Sequence, residues 1–104
     1  MTSPGKRVHE RFDVRLPCTL LLPEGEVAAS TRNASLGGLF VETTASVVFG
    51  STVKLRVRLP AMHEDSTLDG TVRWKTPDGV GLQFGSLRAI EVWALNQLFK
   101  SLGG

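Results

Sequence analysis

Leu68-Asp69-Gly70-Thr71-Val72-Arg73-Trp74-Lys75-Thr76-Pro77-Asp78-Gly79-Val80-Gly81-Leu82-Gln83-Phe84 decides the fold of this chain. Leu68, Gly70, Val72 and Trp74 alternate with Asp69, Thr71, Arg73 and Lys75, the period of a strand with one buried face. On that parity Trp74 points inward with Leu68 and Val72. Thr76-Pro77-Asp78-Gly79 has Pro at its second position and Gly at its fourth, as a type I turn favours. Val80, Leu82 and Phe84 then return as the paired strand of a hairpin.

The same period extends towards the N-terminus. Val53, Leu55, Val57 and Leu59 alternate with Lys54, Arg56 and Arg58 in the clearest strand of the chain. Leu39-Phe40-Val41 is a short strand, and Glu26 to Arg32 a weaker one behind a turn at Pro23-Glu24-Gly25. From Phe12 to Leu22 every even position is apolar, with Pro17 marking a bend or an edge. After the hairpin the period changes. Leu87, Ile90, Ala94, Leu95, Leu98 and Leu102 recur at three and four, with Ser86 as N-cap and Gly103 as the stop. The expectation is six strands followed by one helix over 86–102. Short strands with turn signals about every 8–12 residues make this an all-β, six-stranded antiparallel barrel, closed or nearly so. Residues 1–10 lack apolar periodicity and read as a flexible N-terminal arm, leaving 11–104 as the barrel domain.

With 104 residues there is room for one core. Hydrophobic residues at 41% and charged residues at 21% exclude a disordered tail. No apolar run approaches the ~18 residues that span a bilayer. Met1 to Glu10 has no apolar segment of a secretory signal. One cysteine, Cys18, makes neither an intramolecular disulfide nor a multi-cysteine zinc site, and its parity on the first strand makes it a packed thiol. His9 and His63 lie far apart. The expectation is a reduced, cytoplasmic domain with no metal and no cofactor.

Catalysis is not expected. No Ser/His/Asp or Cys/His set stands out, and Gly79-Val80-Gly81 lacks the helix and third glycine of a dinucleotide fingerprint. The charge is mildly basic, twelve Lys and Arg against ten Asp and Glu. The cations cluster: Lys6, Arg7, Arg11 and Arg15 near the start, and Lys54, Arg56, Arg58, Arg73 and Lys75 further on. Anionic ligands fit such clusters.

Two short constellations carry chemistry. Arg7 and Arg11 stand four apart just before the first strand. An arginine offers a planar fork of donors that fits a phosphate, or the O6/N7 edge of a guanine. Asn33-Ala34-Ser35-Leu36-Gly37-Gly38 forms a turn between strands. Its Asn and Ser hydrogen-bond locally or to a ligand, and its glycines permit close backbone approach.

Arg-x-x-x-Arg before the first strand and Asn-x-Ser-x-x-Gly after the second together resemble the PilZ domain family. The similarity continues in Arg11-Phe12-Asp13-Val14-Arg15-Leu16-Pro17, in Asn33 to Thr43, and in the late hairpin, over roughly residues 6–100. The resemblance implies a PilZ-like barrel of Greek-key, split-barrel type with a C-terminal helix. It also implies a receptor for the bacterial second messenger cyclic di-GMP, bound on the outside of the barrel. The family's ligand residues correspond to Arg7, Arg11, Asn33, Ser35 and Gly38, with Lys6 and Trp74 as secondary candidates. On parity Trp74 is assigned to the core before the ligand. The implied action is ordering of the arm on binding, which signals to a downstream motility, secretion or transcription component, with the receptor a monomer or a ligand-dependent dimer. Membrane insertion and DNA or RNA binding are not expected. Two alternatives stay open: a PilZ-fold adaptor that does not bind nucleotide, and an oligonucleotide-binding barrel using the outward row Lys54, Arg56 and Arg58 with Arg73 and Lys75. Trp93 and Phe99 on the helix are candidates for a dimer or partner surface.

Overall fold

The computed structural model describes residues 11–103. Lys6, Arg7 and the expected flexible arm lie outside the described residues. Among the described residues seven strands precede one helix: β1 (Phe12–Asp13), β2 (Pro17–Leu22), β3 (Gly25–Ala34), β4 (Gly38–Glu42), β5 (Thr52–Val57), β6 (Ser66–Thr76), β7 (Gly79–Phe84) and α1 (Ala89–Ser101). Every pairing is antiparallel. β3, β2, β5, β6, β7 and β4 follow one another, and the β3–β4 pairing closes the six into a barrel. β5 pairs with β2 and β4 with β7, so the barrel is not a simple up-and-down meander.

The first expected strand is broken. β1 contributes two residues paired to the end of β3, and 14–16 form a hook before Pro17 opens β2. Thr31, buried on β3, holds that hook. Its hydroxyl donates to the Val14 carbonyl and accepts from the Leu16 N–H at 2.9 Å. Its own N–H donates to the Leu16 carbonyl at 2.9 Å. A buried hydroxyl satisfied on both sides makes the break a fixed part of the fold.

Alternation fills the interior. Leu20 from β2, Val41 from β4, Leu55 from β5, Val72 from β6 and Leu82 from β7 are all nearly inaccessible and belong to one core cluster. Ala94, Leu95 and Phe99 of α1 join it. Phe99 also stacks on Phe12, with ring centroids 4.6 Å apart. It is therefore core, which corrects its assignment to a partner surface. Ile90 and Leu102, expected on the apolar stripe, are about half exposed. The buried stripe runs through 91, 94, 95 and 99, and Ile90 sits about 100° round the helix from Glu91. Residue 90 thus shares the outer face with Trp93.

The helix begins at Ala89, with its cap two residues beyond the expected one. Arg88, not Ser86, is the N-cap. The Glu91 carboxylate accepts the Arg88 backbone N–H at 2.9 Å and the Arg88 guanidinium at 3.0 and 2.9 Å. This is the N3 half of a capping box, and it satisfies a carboxylate that is otherwise buried.

Candidate functional site

Two β-bulges shape one outer face of the barrel. On β3, Thr31 opposes Val41 but Asn33 opposes Phe40, so Arg32 is the extra residue. The inward set on β3 runs Val27, Ala29, Thr31, Ala34, a step of three replacing a step of two. Arg32 and Asn33 both remain on the outside, partly exposed. On β6, Val72 opposes Leu82 but Trp74 opposes Gly81, with Arg73 as the extra residue. The phase of β6 changes there. Gly70 and Val72 are buried, whereas 73–76 are all exposed. Trp74 is 41% exposed. The inward assignment of Trp74 is therefore wrong, because period-two parity does not survive a one-residue insertion.

The bulges lie on one cross-strand row. Asn33 opposes Phe40, Phe40 opposes Gly81, and Gly81 opposes Trp74, across β3, β4, β7 and β6. The Trp74 indole occupies the space above Gly81, where an added Cβ would overlap it. Glycine is required at 81 for the indole to rest against the β7 backbone.

Arg11 enters this row from the start of the described chain. Its Nε and Nη2 donate to the Asn33 Oδ1 at 2.9 and 2.7 Å, and its guanidinium carbon lies 5.9 Å from the centre of the Trp74 ring. An arginine only donates, so the Asn33 oxygen necessarily faces it. Arg11, Arg32, Asn33, Phe40, Trp74 and Thr76 line an open cleft of about 530 Å³. The sequence reading missed Arg32 and Phe40. Leu39 and Val41 beside Phe40 belong to the core, but Phe40 is covered from outside by the Arg32 guanidinium, 4.7 Å above its ring. The switch of inward parity along β3, from Ala29 to Ala34, is the signal in the sequence that would have exposed the bulge.

Glu42 stands behind Arg32. Its Oε2 accepts from the Arg32 Nε at 2.8 Å and lies 2.7 Å from Nη2, and its Oε1 accepts from the Arg15 Nη1 at 3.0 Å. Asp78 is 3.9 Å from the same Arg32 Nη2. The Arg32 hydrogen bond, helped by the charges of Arg15 and Arg32, holds the Glu42 carboxyl below the usual carboxylate range.

Ser35 and Gly38 are buried, which sets them apart from Asn33. The Ser35 hydroxyl accepts the Gly37 N–H at 3.1 Å and donates to the Gly38 carbonyl at 3.4 Å. A Cβ on Gly38 would run into the Leu82 carbonyl of β7. Both residues build the turn that carries Asn33 and lets β4 approach β7. Asn33 is the member of the second motif that reaches the cleft.

The other outer face differs. Lys54 pairs with Asp69 at 2.7 Å, Arg56 with Glu26 at 2.9 Å and Arg58 with Asp65 at 3.3 Å. Three cations of the row that an oligonucleotide would need are thus each paired with a carboxylate, whereas Arg73 donates to the neutral Gln83 amide oxygen at 2.6 Å and Lys75 is exposed on β6. Cys18 is buried in the core behind that face, and desolvation pushes its thiol up to about 11. A further cleft of about 520 Å³ lies between α1 and the loop before β6, with Ile90 and Trp93 about half exposed on its rim. No helix among the described residues is long and apolar enough to cross a membrane.

A barrel of this order, closed by a C-terminal helix and carrying an arginine docked on the Asn of an N-x-S-x-x-G turn, defines a class. The family model for the PilZ domain matches residues 5–101, and the chain belongs to that family. Among solved structures, the Bacillus subtilis inhibitor of motility (MotI/DgrA) superposes with a TM-score of 0.71 at 20% identity, over 93% of this chain and 53% of that one. This chain thus spans about half the length of that protein. The PilZ domain of CeSA from a cellulose-synthesizing bacterium superposes with a TM-score of 0.69 at 17% identity, over 91% of this chain and 99% of that one. Both show the fold. Comparison with curated proteins finds no match.

Proposed function

We propose that this PilZ domain is a cytoplasmic, non-catalytic receptor for cyclic di-GMP. One observation supports it above the others: Arg11, the second arginine of the first motif, is docked on Asn33, the first residue of the second, beside the partly exposed Trp74 ring. Two stretches 22 residues apart in sequence thereby meet in one open cleft. The ligand's two guanines are planar and its two phosphodiesters anionic. Trp74 offers a stacking face, and the guanidinium groups offer charge-assisted donors. Arg7 and Lys6 would close onto the ligand from the chain preceding Arg11, ordering the arm as they do so. Ser35 and Gly38 act through the turn that presents Asn33. The ordered arm with its ligand would form a surface for a downstream protein of motility, secretion or transcription. The half-exposed Ile90 and Trp93 supply a second surface for such an adaptor.

The test is calorimetric titration of the full chain with cyclic di-GMP, with GMP and a short single-stranded oligonucleotide as controls. Saturable binding of the cyclic dinucleotide alone is expected. Arg11→Ala should abolish it while moving the thermal midpoint by no more than about 4 °C, since a partly exposed side chain away from the core contributes about 0.5 kcal/mol or less. Silence of the unaltered chain at high ligand concentration would overturn the receptor and leave the nucleotide-free adaptor.

A further inference from the structure

The cleft holds an arginine outside both motifs. Arg32 is the bulged residue of β3, on the same outer face as Asn33, and its guanidinium lies over Phe40 in the wall of the cleft. Its position is therefore set by a backbone irregularity and a ring contact. A guanidinium so placed is suited to an anion entering the cleft.

Its charge is not presented unopposed. Glu42 takes Arg32 through Nε and Nη2 at 2.8 and 2.7 Å, and Asp78 lies 3.9 Å away. Glu42 also takes Arg15. Both the Arg32 and Glu42 side chains keep 34% of their surface accessible, so the pair is reached by water and by solutes. A carboxylate and a phosphodiester present the same chemistry to a guanidinium, two coplanar or near-coplanar anionic oxygens accepting parallel N–H bonds. They compete for the same fork.

We infer that Arg32 is a further ligand-binding residue, for a phosphodiester group, and that Glu42 is an internal competitor occupying it in the unliganded protein. This rests on the receptor proposed above. Entry of the ligand exchanges one anion for another on Arg32, while Arg15 retains Glu42 and keeps the displaced carboxylate from being stranded. Affinity is then set partly by a residue that never touches the ligand. Glu42 acts as a positioning residue, and its removal strengthens binding where removal of a true contact weakens it.

The test is calorimetric titration of the full chain with cyclic di-GMP for four proteins: unaltered, Glu42→Gln, Arg32→Gln and Glu24→Gln. Glu24, in the exposed β2–β3 turn, controls for the change in net charge. Glu42→Gln should tighten binding about three-fold, the scale of one partly exposed ion pair. Arg32→Gln should weaken it by ten-fold or more, the scale of a lost charge-assisted bond. It should also flatten the dependence of affinity on salt. Glu24→Gln should do neither. The Arg32 Nε–H resonance of the unaltered protein should move on saturation with ligand, a readout that a purely structural role leaves still. Thermal melts confirm folding, and if Arg32→Gln fails to fold, Glu42→Gln and the Nε–H resonance carry the decision. Binding by the unaltered chain with Glu42→Gln no tighter, or with the Arg32 resonance unmoved, overturns the inference and leaves the receptor standing. No binding by the unaltered chain removes both.

Discussion

The barrel has two kinds of outer face, built by the same strands under different rules. Along β2, β5 and the first half of β6 the register is unbroken, side chains alternate, and each outward cation faces an outward carboxylate. Where the far ends of β3 and β6 flank β4 and β7, each long strand carries one extra residue, and alternation fails twice on one row. There the outside gains what a regular sheet would not present together: Arg32 beside Asn33, and Arg73 beside Trp74. The regular face is self-contained and stabilises the barrel. The bulged face breaks local rules while glycine at 81, the Thr31 hydroxyl and the Ser35 turn hold it in shape. Functional sites tend to concentrate at such local inconsistencies in otherwise regular folds.

The two faces should separate stability from binding. The largest effect is expected from Leu55→Ala, which empties a position only 1% exposed behind the regular face. A buried Leu→Ala change costs about 2–5 kcal/mol. The denaturant midpoint should fall accordingly, while the fraction that remains folded binds ligand with unchanged affinity. A matching loss of affinity would show that the two faces are not separable.

The same division explains what could be read from the sequence. Parity located the strands around Leu20, Leu55 and Leu82 because nothing there interrupts a period of two. Asn33 and Arg11 stand out through motifs that do not depend on parity, and the fold brings these two side chains together. Trp74 was misassigned and Arg32 and Phe40 were passed over for one reason. A bulge is a single inserted residue, and its phase change appears only when inward positions are followed on both sides of it. Ser35 and Gly38 were seen, but the side to which they turn depends on packing against β7, which is not local in sequence. Ser86 as N-cap failed because Glu91, three residues into the helix, caps Arg88 from within.

A smaller effect, on binding more than stability, is expected from Gly81→Ala. The added methyl group overlaps the Trp74 indole and must push it off the β7 backbone. Stacking of one base on an aromatic ring is worth about 1–3 kcal/mol, so affinity should fall by roughly five-fold to 150-fold. Trp74 emission should change as well, read cleanly in a Trp93→Phe background. Unchanged affinity with displaced emission would show that the indole does not stack on ligand. It would leave Arg11 and Asn33 as the core of the site.

The smallest effect compares one carboxylate from each face. Glu26 on the regular face and Glu42 on the bulged face are both held below the ordinary carboxylate range, first by a hydrogen bond from an arginine, Arg56 and Arg32 respectively. A carboxyl whose folded value is depressed adds stability above its unfolded value, about 4.3 for Glu, and that stability is lost as pH falls through the folded value. Both should therefore contribute only above the acid range, and equally little, since both pairs are open to solvent. Ligand should break the symmetry. A phosphodiester that takes Arg32 removes the chief cause of the Glu42 depression and leaves the Glu26–Arg56 pair untouched. In a carboxyl-carbon NMR titration, the Glu42 midpoint should rise on saturation with cyclic di-GMP and the Glu26 midpoint should stay. If both rise, the ligand acts through the overall field of the protein. If neither does, Arg32 keeps Glu42 and the cleft binds without it.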